Sequence, residues 1–344
     1  MKILHTCTER QKMKIGVISV TNAGDKIAEK LAESVSLDLY SKNNCNFNLK
    51  SITEMIVSKY SGVVFVASTG IAVRAIAPFI KSKDVDPAVV VIDSSGRFVI
   101  SLLSGHLGGA NELAVKLAGI LKATPVITTA TDNMGIEAPD VLAKNNGLVI
   151  DSLKDAKYIA SLLVEGKKVG FIDEDNLMDI PAGYSSSSKN VGGVVYVTCR
   201  NKLDINGIRA LKLIRRDIVL GIGCRKNFSP SDMVDKIAKL LKNYNIDRRS
   251  VKCIATAEIK SKERAIIELA KYLECNVKIF SMKEIEGVQH NYEGSDFVEK
   301  SVGVRAVCQP CVELSGAVLI TGKIKSDGMT LCIGKFKDDK RRMC

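Results

Sequence analysis

Ser104-Gly105-His106-Leu107-Gly108-Gly109-Ala110-Asn111-Glu112-Leu113 is the stretch on which the reading of this chain turns. The apolar run Phe98 to Leu103 before it reads as a buried strand. Leu113, Leu117, Ile120 and Leu121 after it fall on one face of a helix. Gly105, Gly108 and Gly109 let the backbone turn sharply and bring N–H groups close to a ligand. The helix that follows adds the positive end of its dipole. His106, one of 3 histidines in the chain, sits in this turn. The stretch is therefore either an anion cradle holding a titratable base or a tight turn that happens to contain a histidine.

Working outward, the same grammar recurs. Ile15 to Val20 reads as a buried strand, and Ile27, Leu31 and Val35 continue as an amphipathic helix. Ser61 to Ser68 is a strand ending at Thr69-Gly70, with Arg74 in the first turn of a helix that Pro78 stops. Ala88 to Asp93 is a Val-rich strand, and Ser94-Ser95-Gly96-Arg97 is a hairpin-type turn into Phe98. Pro125-Val126-Ile127 is a further strand, closed by Thr128-Thr129-Ala130-Thr131-Asp132. Strands alternating with helices predict a mainly parallel α/β sheet with ligands at the carboxyl ends of its strands. Thr69-Gly70, Ser104 to His106 and Thr128 to Asp132 are all expected at such ends.

Downstream, Val141 to Gly147 and Leu153 to Leu163 read as helices and Lys168 to Ile172 as a strand. The run Ser185 to Ser188 reads as a surface loop or linker. A new α/β series opens at Ile218 to Arg225, with Gly221 and Gly223 in its turn. Ser229 is its N-cap, Pro230 the first helical position, and Met233, Ile237, Leu240 and Leu241 the buried face. Val251 to Ala257, Asn276 to Phe280 and Ala317 to Gly322 read as strands, and a helix is expected from Glu258 to Glu263 onward. The fold class expected is α/β: a short extension at 1–12, an N-terminal mainly parallel α/β domain at 13–135, a small middle region and linker at 136–215, and a second C-terminal three-layer α/β domain at 216–344.

Composition narrows the function classes. The net charge of +12 calls for an anionic partner, or is a solvated basic surface without one. Without tryptophan and with 5% aromatics, base-stacking motifs are missing, so no nucleic acid is expected. No apolar run approaches the ~20 residues that span a bilayer, and the polar first twelve residues lack a signal core. No membrane is expected, and the location expected is cytoplasmic. The 10 cysteines lack framework spacing and read as reduced thiols. Cys308-Gln309-Pro310-Cys311 has neither a second pair nor clustered histidines for zinc, so no metal site is expected.

The order and spacing of Gly70 to Arg74, Asp86 to Val91, Leu102 to Leu113 and Thr124 to Asp132 resemble the cobalt-precorrin-5A hydrolase family, also called cobalamin biosynthesis protein G. Gly221 to Arg225, Ala255 to Glu263 and Gly303 through Lys323 are similar to that family's C-terminal domain. The middle matches only loosely. The Cys308 to Cys311 stretch departs from the family pattern, so its thiols are not expected to carry family chemistry.

The resemblance implies a hydrolase of anaerobic cobalamin biosynthesis. Its substrate is a cobalt-containing, ring-contracted tetrapyrrole with a δ-lactone on ring A. The lactone opens, and the C20 unit with its methyl leaves as acetaldehyde, giving cobalt-precorrin-5B. Cobalt belongs to the substrate, so no cofactor is expected. The partners implied are the polycarboxylate substrate and, transiently, neighbouring pathway enzymes. Lactone opening needs activated water, a stabilised oxyanion and a moved proton. His106 is the favoured base, Asp132 the alternative base or a helix cap, and Ser104 a nucleophile or hydrogen-bonding group. Gly105, Gly108 and Gly109 offer N–H groups to an oxyanion or a propionate. Substrate contacts are also expected from Thr69, Gly70, Asn111, Thr128, Thr129, Thr131, Gly221 and Gly223. Arg74, Arg97, Arg225 and Lys260 are the candidate carboxylate partners, and Glu112 the first-turn contact with the helix dipole. Two other classes compete: a non-catalytic corrinoid carrier, and a nucleotide binder. The latter lacks both GxxxxGK[ST] and a third glycine after Gly221 and Gly223.

Overall fold

The computed structural model describes residues 13–43, 46–82, 85–106, 108–129, 134–205, 207–294, 299 and 303–337. Two compact units divide the chain, one ending at Lys144 and the other beginning at Asn145. The N-terminal extension and the expected site residues Thr131 and Asp132 lie outside the described residues.

The first unit is built on β1 (Ile15–Ser19), α1 (Asn22–Ala32), β2 (Leu37–Ser41), α2 (Leu49–Lys59), β3 (Gly62–Val66), α3 (Thr69–Ile76), β4 (Ala88–Ile92), β5 (Phe98–Leu103), α4 (Ala110–Leu121), β6 (Thr124–Val126) and α5 (Pro139–Asn145). The sheet order is β2-β1-β3-β4-β5-β6. Side chains alternate across it, as a strand's two-residue period requires. Val17, Val64, Val66 and Val90 pack with Ala28 and Leu31 of α1 and Leu113 and Leu117 of α4. Ile18, Val63, Phe65, Val89 and Val91 pack on the opposite side with Ile56 of α2 and Ala72 and Ile76 of α3. Pro125 sits in the edge strand β6, where a missing N–H is tolerated.

One pairing governs where the motifs lie. Asp93 accepts hydrogen bonds from the N–H groups of Ser95 at 3.1 Å and Phe98 at 2.6 Å, and Gly96 adopts φ +68°. This hairpin returns β5 antiparallel to β4, with Ile92 opposite Val99 and Val89 opposite Leu103. The other pairings in this sheet are parallel. The expectation that all three motifs share the carboxyl edge is therefore corrected. Ser104 emerges at the amino ends of β3 and β4, and β6 delivers Thr128 to the same edge. Thr69, Gly70 and the Arg97 hairpin lie at the other edge, a strand length or roughly 15 Å away. Arg74 stands in the last turn of α3, not its first, because that helix begins at Thr69.

The second unit holds two sheets. The four-stranded one, in the order β7-β10-β9-β8, comprises β7 (Val149–Ile150), β8 (Val169–Asp173), β9 (Gly193–Thr198) and β10 (Ala210–Ile214), with α6 (Leu153–Val164) packed on it. The linker reading of Ser185 to Ser188 is corrected in part. These serines are largely exposed, but Phe171 N–H donates to Ser185 O at 2.8 Å and Ser185 N–H to Val169 O at 2.9 Å, tying the loop to β8.

The other sheet runs β13-β12-β11-β16-β14, with β15 paired to β16. Its elements are β11 (Ile218–Cys224), α7 (Pro230–Asn243), β12 (Val251–Ala257), α8 (Arg264–Leu273), β13 (Asn276–Phe280), α9 (Met282–Val288), α10 (Cys308–Leu314), β14 (Val318–Leu319), β15 (Ile324–Ser326) and β16 (Met329–Lys335). Leu220, Ile222 and Ile254 face Met233 and Ile237 of α7 and Leu269 of α8. Val219, Cys253 and Ala255 face Ile285 of α9 and Cys311 and Val312 of α10. Helices on both faces make the expected three layers. Ser229 caps α7 by accepting from Asp232 N–H at 3.3 Å, with Pro230 in the first turn.

Charged contacts join the two sheets of this unit. Lys212 on β10 donates to Asp247 at 2.9 Å, with both side chains nearly buried. Arg249 donates to the same carboxylate at 2.8 Å. Burial works to raise the Asp247 carboxyl, but the hydrogen bonds from Arg249 and Lys212 outweigh it and hold the pKa down at about 2.

Candidate functional site

The Ser104 turn is a tightly closed loop. The N–H groups of Gly109, Ala110 and Asn111 donate to the carbonyls of His106, Ser104 and Gly105 at 3.0, 3.1 and 3.0 Å. Gly109 therefore has no N–H left for a substrate oxyanion, which corrects the expectation for that residue. Among the described residues, the N–H groups of Gly105 and Gly108 make no hydrogen bond. A Cβ on Gly108 would lie 2.4 Å from Ser104 Cβ and 2.8 Å from Ser104 O, so only glycine fits there. Gly109 adopts φ +84° and Ser104 φ +57°, the latter an unusual conformation for a non-glycine residue. Ser104 Oγ is buried without a hydrogen-bond partner among the described residues.

His106 is held on the rim of this loop. Its Nδ1 lies 3.4 Å from Oδ1 of Asp140, and the two side chains are 16% and 14% exposed. Asp140 is in the first turn of α5. Sequence reasoning misses this residue: Pro139-Asp140 signals a helix start, but nothing local says that the start faces His106.

Asn111 braces the other side of the loop. It accepts from Ser101 Oγ at 2.6 Å and donates to Thr129 Oγ1 at 3.1 Å, linking β5, α4 and the segment after β6. Thr128, next to it, is exposed. Glu112, in the first turn of α4, pairs with Lys144 at 3.1 Å. The structure thus gathers Ser104, Gly105, His106, Gly108, Asn111, Thr128 and Thr129 at one edge and adds Asp140 and Lys144. It leaves Thr69, Gly70, Arg74 and Arg97 exposed at the other edge. There Arg74 donates to Gly70 O at 3.3 Å, and Arg97 lies 5.6 Å from the Phe98 ring centre.

The remaining candidates belong to the second unit. Gly223, Arg225 and Lys260 line a cavity of about 1200 Å³. Gly221 does not. It is buried, and a Cβ there would sit 2.1 Å from the backbone oxygen of Cys308. Its expected substrate contact is corrected to a packing role, the close approach of α10 to β11. Cys308 and Cys311 are buried in α10. Hydrogen bonding from Cys332, then Thr330 and the charge of Lys323, hold the Cys308 thiol down at about 7 against the penalty of burial. Burial pushes the Cys311 thiol up. Among the described residues, no cluster of His, Cys, Asp and Glu fits a metal ion.

Both units are α/β; the first carries its glycine turn after β5, whereas Gly221 and Gly223, expected in a turn, lie inside strand β11 of the second. Residues 51–132 match the family described as cobalamin synthesis G N-terminal, 137–202 the cobalamin biosynthesis central region, and 218–334 the cobalamin synthesis G C-terminus. Over 340 residues the chain is 32% identical to cobalt-precorrin-5A hydrolase of Salmonella typhimurium, covering 93% of this chain and 97% of that one. It is 31% identical over 311 residues to cobalt-precorrin-5A hydrolase of Priestia megaterium, covering 85% and 83%. A crystal structure of a cobalamin biosynthesis protein G homologue from Sulfolobus solfataricus aligns over 94% of this chain and 98% of that one, at 23% identity and a TM-score of 0.41. The chain belongs to the cobalamin synthesis G family, the family of the cobalt-precorrin-5A hydrolases.

Proposed function

We propose that this protein is a hydrolase of cobalamin biosynthesis that opens the ring-A δ-lactone of cobalt-precorrin-5A and releases acetaldehyde, giving cobalt-precorrin-5B. The observation that carries this reading is the near full-length match to hydrolases of that name. The His106 turn supplies suitable groups. His106 takes a proton from water through Nε2 as the water adds to the lactone carbonyl. Asp140 holds Nδ1–H and stabilises the imidazolium that forms. The free N–H groups of Gly105 and Gly108 donate to the oxyanion. Collapse breaks the acyl C–O bond and leaves a carboxylate and a hydroxyl on the C20 unit. Loss of that hydroxyl proton forms the aldehyde carbonyl. The electrons of the bond to C20 return to the macrocycle, which takes up a proton.

Cobalt is cargo in this reading, and no separate cofactor is invoked. The substrate is the partner that answers the +12 charge. A cytoplasmic location and transient contacts with neighbouring pathway enzymes go with the same reading. The test is acetaldehyde release from the lactone substrate, followed by coupled reduction with alcohol dehydrogenase and NADH. One acetaldehyde per substrate is expected. Release no faster than in the protein-free control overturns the reading and leaves a corrinoid carrier.

A further inference from the structure

The cavity of the second unit is unusual in its charge. Arg225, Lys226, Lys262, Arg264, Lys323 and Lys325 all line it. Among the described residues none of these six has a carboxylate within ion-pair distance. The two carboxylates of the wall already face other cations: Glu263 lies 3.8 Å from Lys260, and Asp327 lies 2.7 Å from Lys236. Lys323 is half-buried and still unpaired. Like charges gathered in a concave site repel one another, and low-dielectric walls focus their field on whatever enters. Such an arrangement is stabilised by a ligand with several anionic groups.

Beside Asn227, Ser229, Ser326 and Thr330, much of the rest of the wall is apolar. Phe228, Ala257, Ile259, Val307 and Met329 contribute to it, and Ile259 is 48% exposed although it is a large hydrophobe. At about 1200 Å³ the space exceeds the roughly 300–1,000 Å³ of an ordinary small-molecule pocket. An apolar surface ringed by cations suits a broad, flat, apolar ring with carboxylates on its periphery. Nucleotide phosphates would use the cations but not the breadth of the apolar wall.

We propose that this cavity, formed by the second unit alone, is a binding site for the peripheral carboxylates of the tetrapyrrole, with Lys323 and Lys325 as selectivity residues that favour free acids over amides. The proposal rests on the hydrolase reading for the identity of the ligand. Its experiment uses unreactive probes. Cobyrinic acid is a cobalt corrinoid with free carboxylate side chains, and cobyric acid is its counterpart with nearly all of them amidated. Equilibrium binding of each to the full chain is followed by corrin absorbance.

Cobyrinic acid is expected to bind at least tenfold more tightly than cobyric acid, with affinity falling as salt rises. Lys323→Ala with Lys325→Ala should erase most of that preference, and Lys323→Arg with Lys325→Arg should restore it. The arginine variant also serves as the control for folding. Equal affinity for the two corrinoids, or an unchanged preference in the alanine variant, overturns the proposal. So does displacement of cobyrinic acid by ATP at equal concentration, which would make the cavity a general polyanion site. Acetaldehyde release without carboxylate-selective binding removes this site and leaves the hydrolase reading. Selective binding without acetaldehyde does the reverse.

Discussion

Nδ1 of His106 lies 3.4 Å from Oδ1 of Asp140, a carboxylate brought from a helix 34 positions further along the chain. A carboxylate at this distance favours the imidazole form that carries its proton on Nδ1.

His106→Ala should therefore lower acetaldehyde turnover by ~10²–10⁴, the usual share of general acid–base catalysis. The acid limb of the rate profile should disappear with it. Unchanged turnover would remove His106 from the chemistry.

Asp140→Asn should act through the imidazole. A carboxylate nearby favours the charged ring, so its removal should lower the His106 pKa. The acid limb should shift to lower pH by the same amount, and NMR titration of the ring should report the shift without substrate. An imidazole that titrates identically in both proteins would mean that the contact is not electrostatic.

Gly221→Ala and Gly287→Ala make a matched pair. The first places a methyl group 2.1 Å from the Cys308 backbone oxygen, and the second meets nothing within 4 Å on α9. The first should destabilise by ~1–3 kcal/mol or more, as overpacking against backbone does. The second should be neutral or stabilising by up to ~1 kcal/mol, because alanine favours helix. Urea unfolding midpoints decide it. Equal midpoints would contradict the packing role assigned to Gly221.

Asp247 sets an acid limit on the second unit. Its carboxyl is held at about 2 by Arg249 and Lys212 against burial, below the unfolded value of ~3.9. A depressed carboxylate contributes stability above the unfolded pKa and loses it as pH falls through the folded one. Stability should therefore fall between about pH 4 and pH 2, and Asp247→Asn should flatten that fall. At neutral pH the variant should cost ~1–3 kcal/mol, because Lys212 loses its closest carboxylate and keeps Asp151 at 3.8 Å and the Asn201 carbonyl at 2.9 Å. A variant as stable as its parent at pH 7 would show the pair to be dispensable.

Local physics made much of the fold legible. The cap, proline and apolar stripe of α7 mark a helix start on their own, and β12 matches its apolar run Val251 to Ala257 residue for residue. Gly193 to Thr198 is equally apolar, but the exposed serine loop before it hides the start of the strand. The site was harder. The Ser104 turn is written in one stretch, whereas its partner Asp140 is joined only by tertiary packing. The hairpin at Gly96 was visible, but its consequence depends on sheet order. A reversed β5 sends His106 to the edge opposite Thr69, and strand periodicity alone does not say so.

That reversal also sets how mutation can spread through the first unit. The loops at Thr69 and at Ser94 to Arg97 sit a strand length from the imidazole, so they can lengthen or drift with little penalty to it. The β4–β5 register shift between Val89 and Val90 acts instead as a locating pin. A one-residue slip there would turn every β5 side chain over and carry the whole His106 loop with it. The hairpin tip beyond Ile92 can change without moving that pin, which sits at the opposite end of β4 beside Leu103.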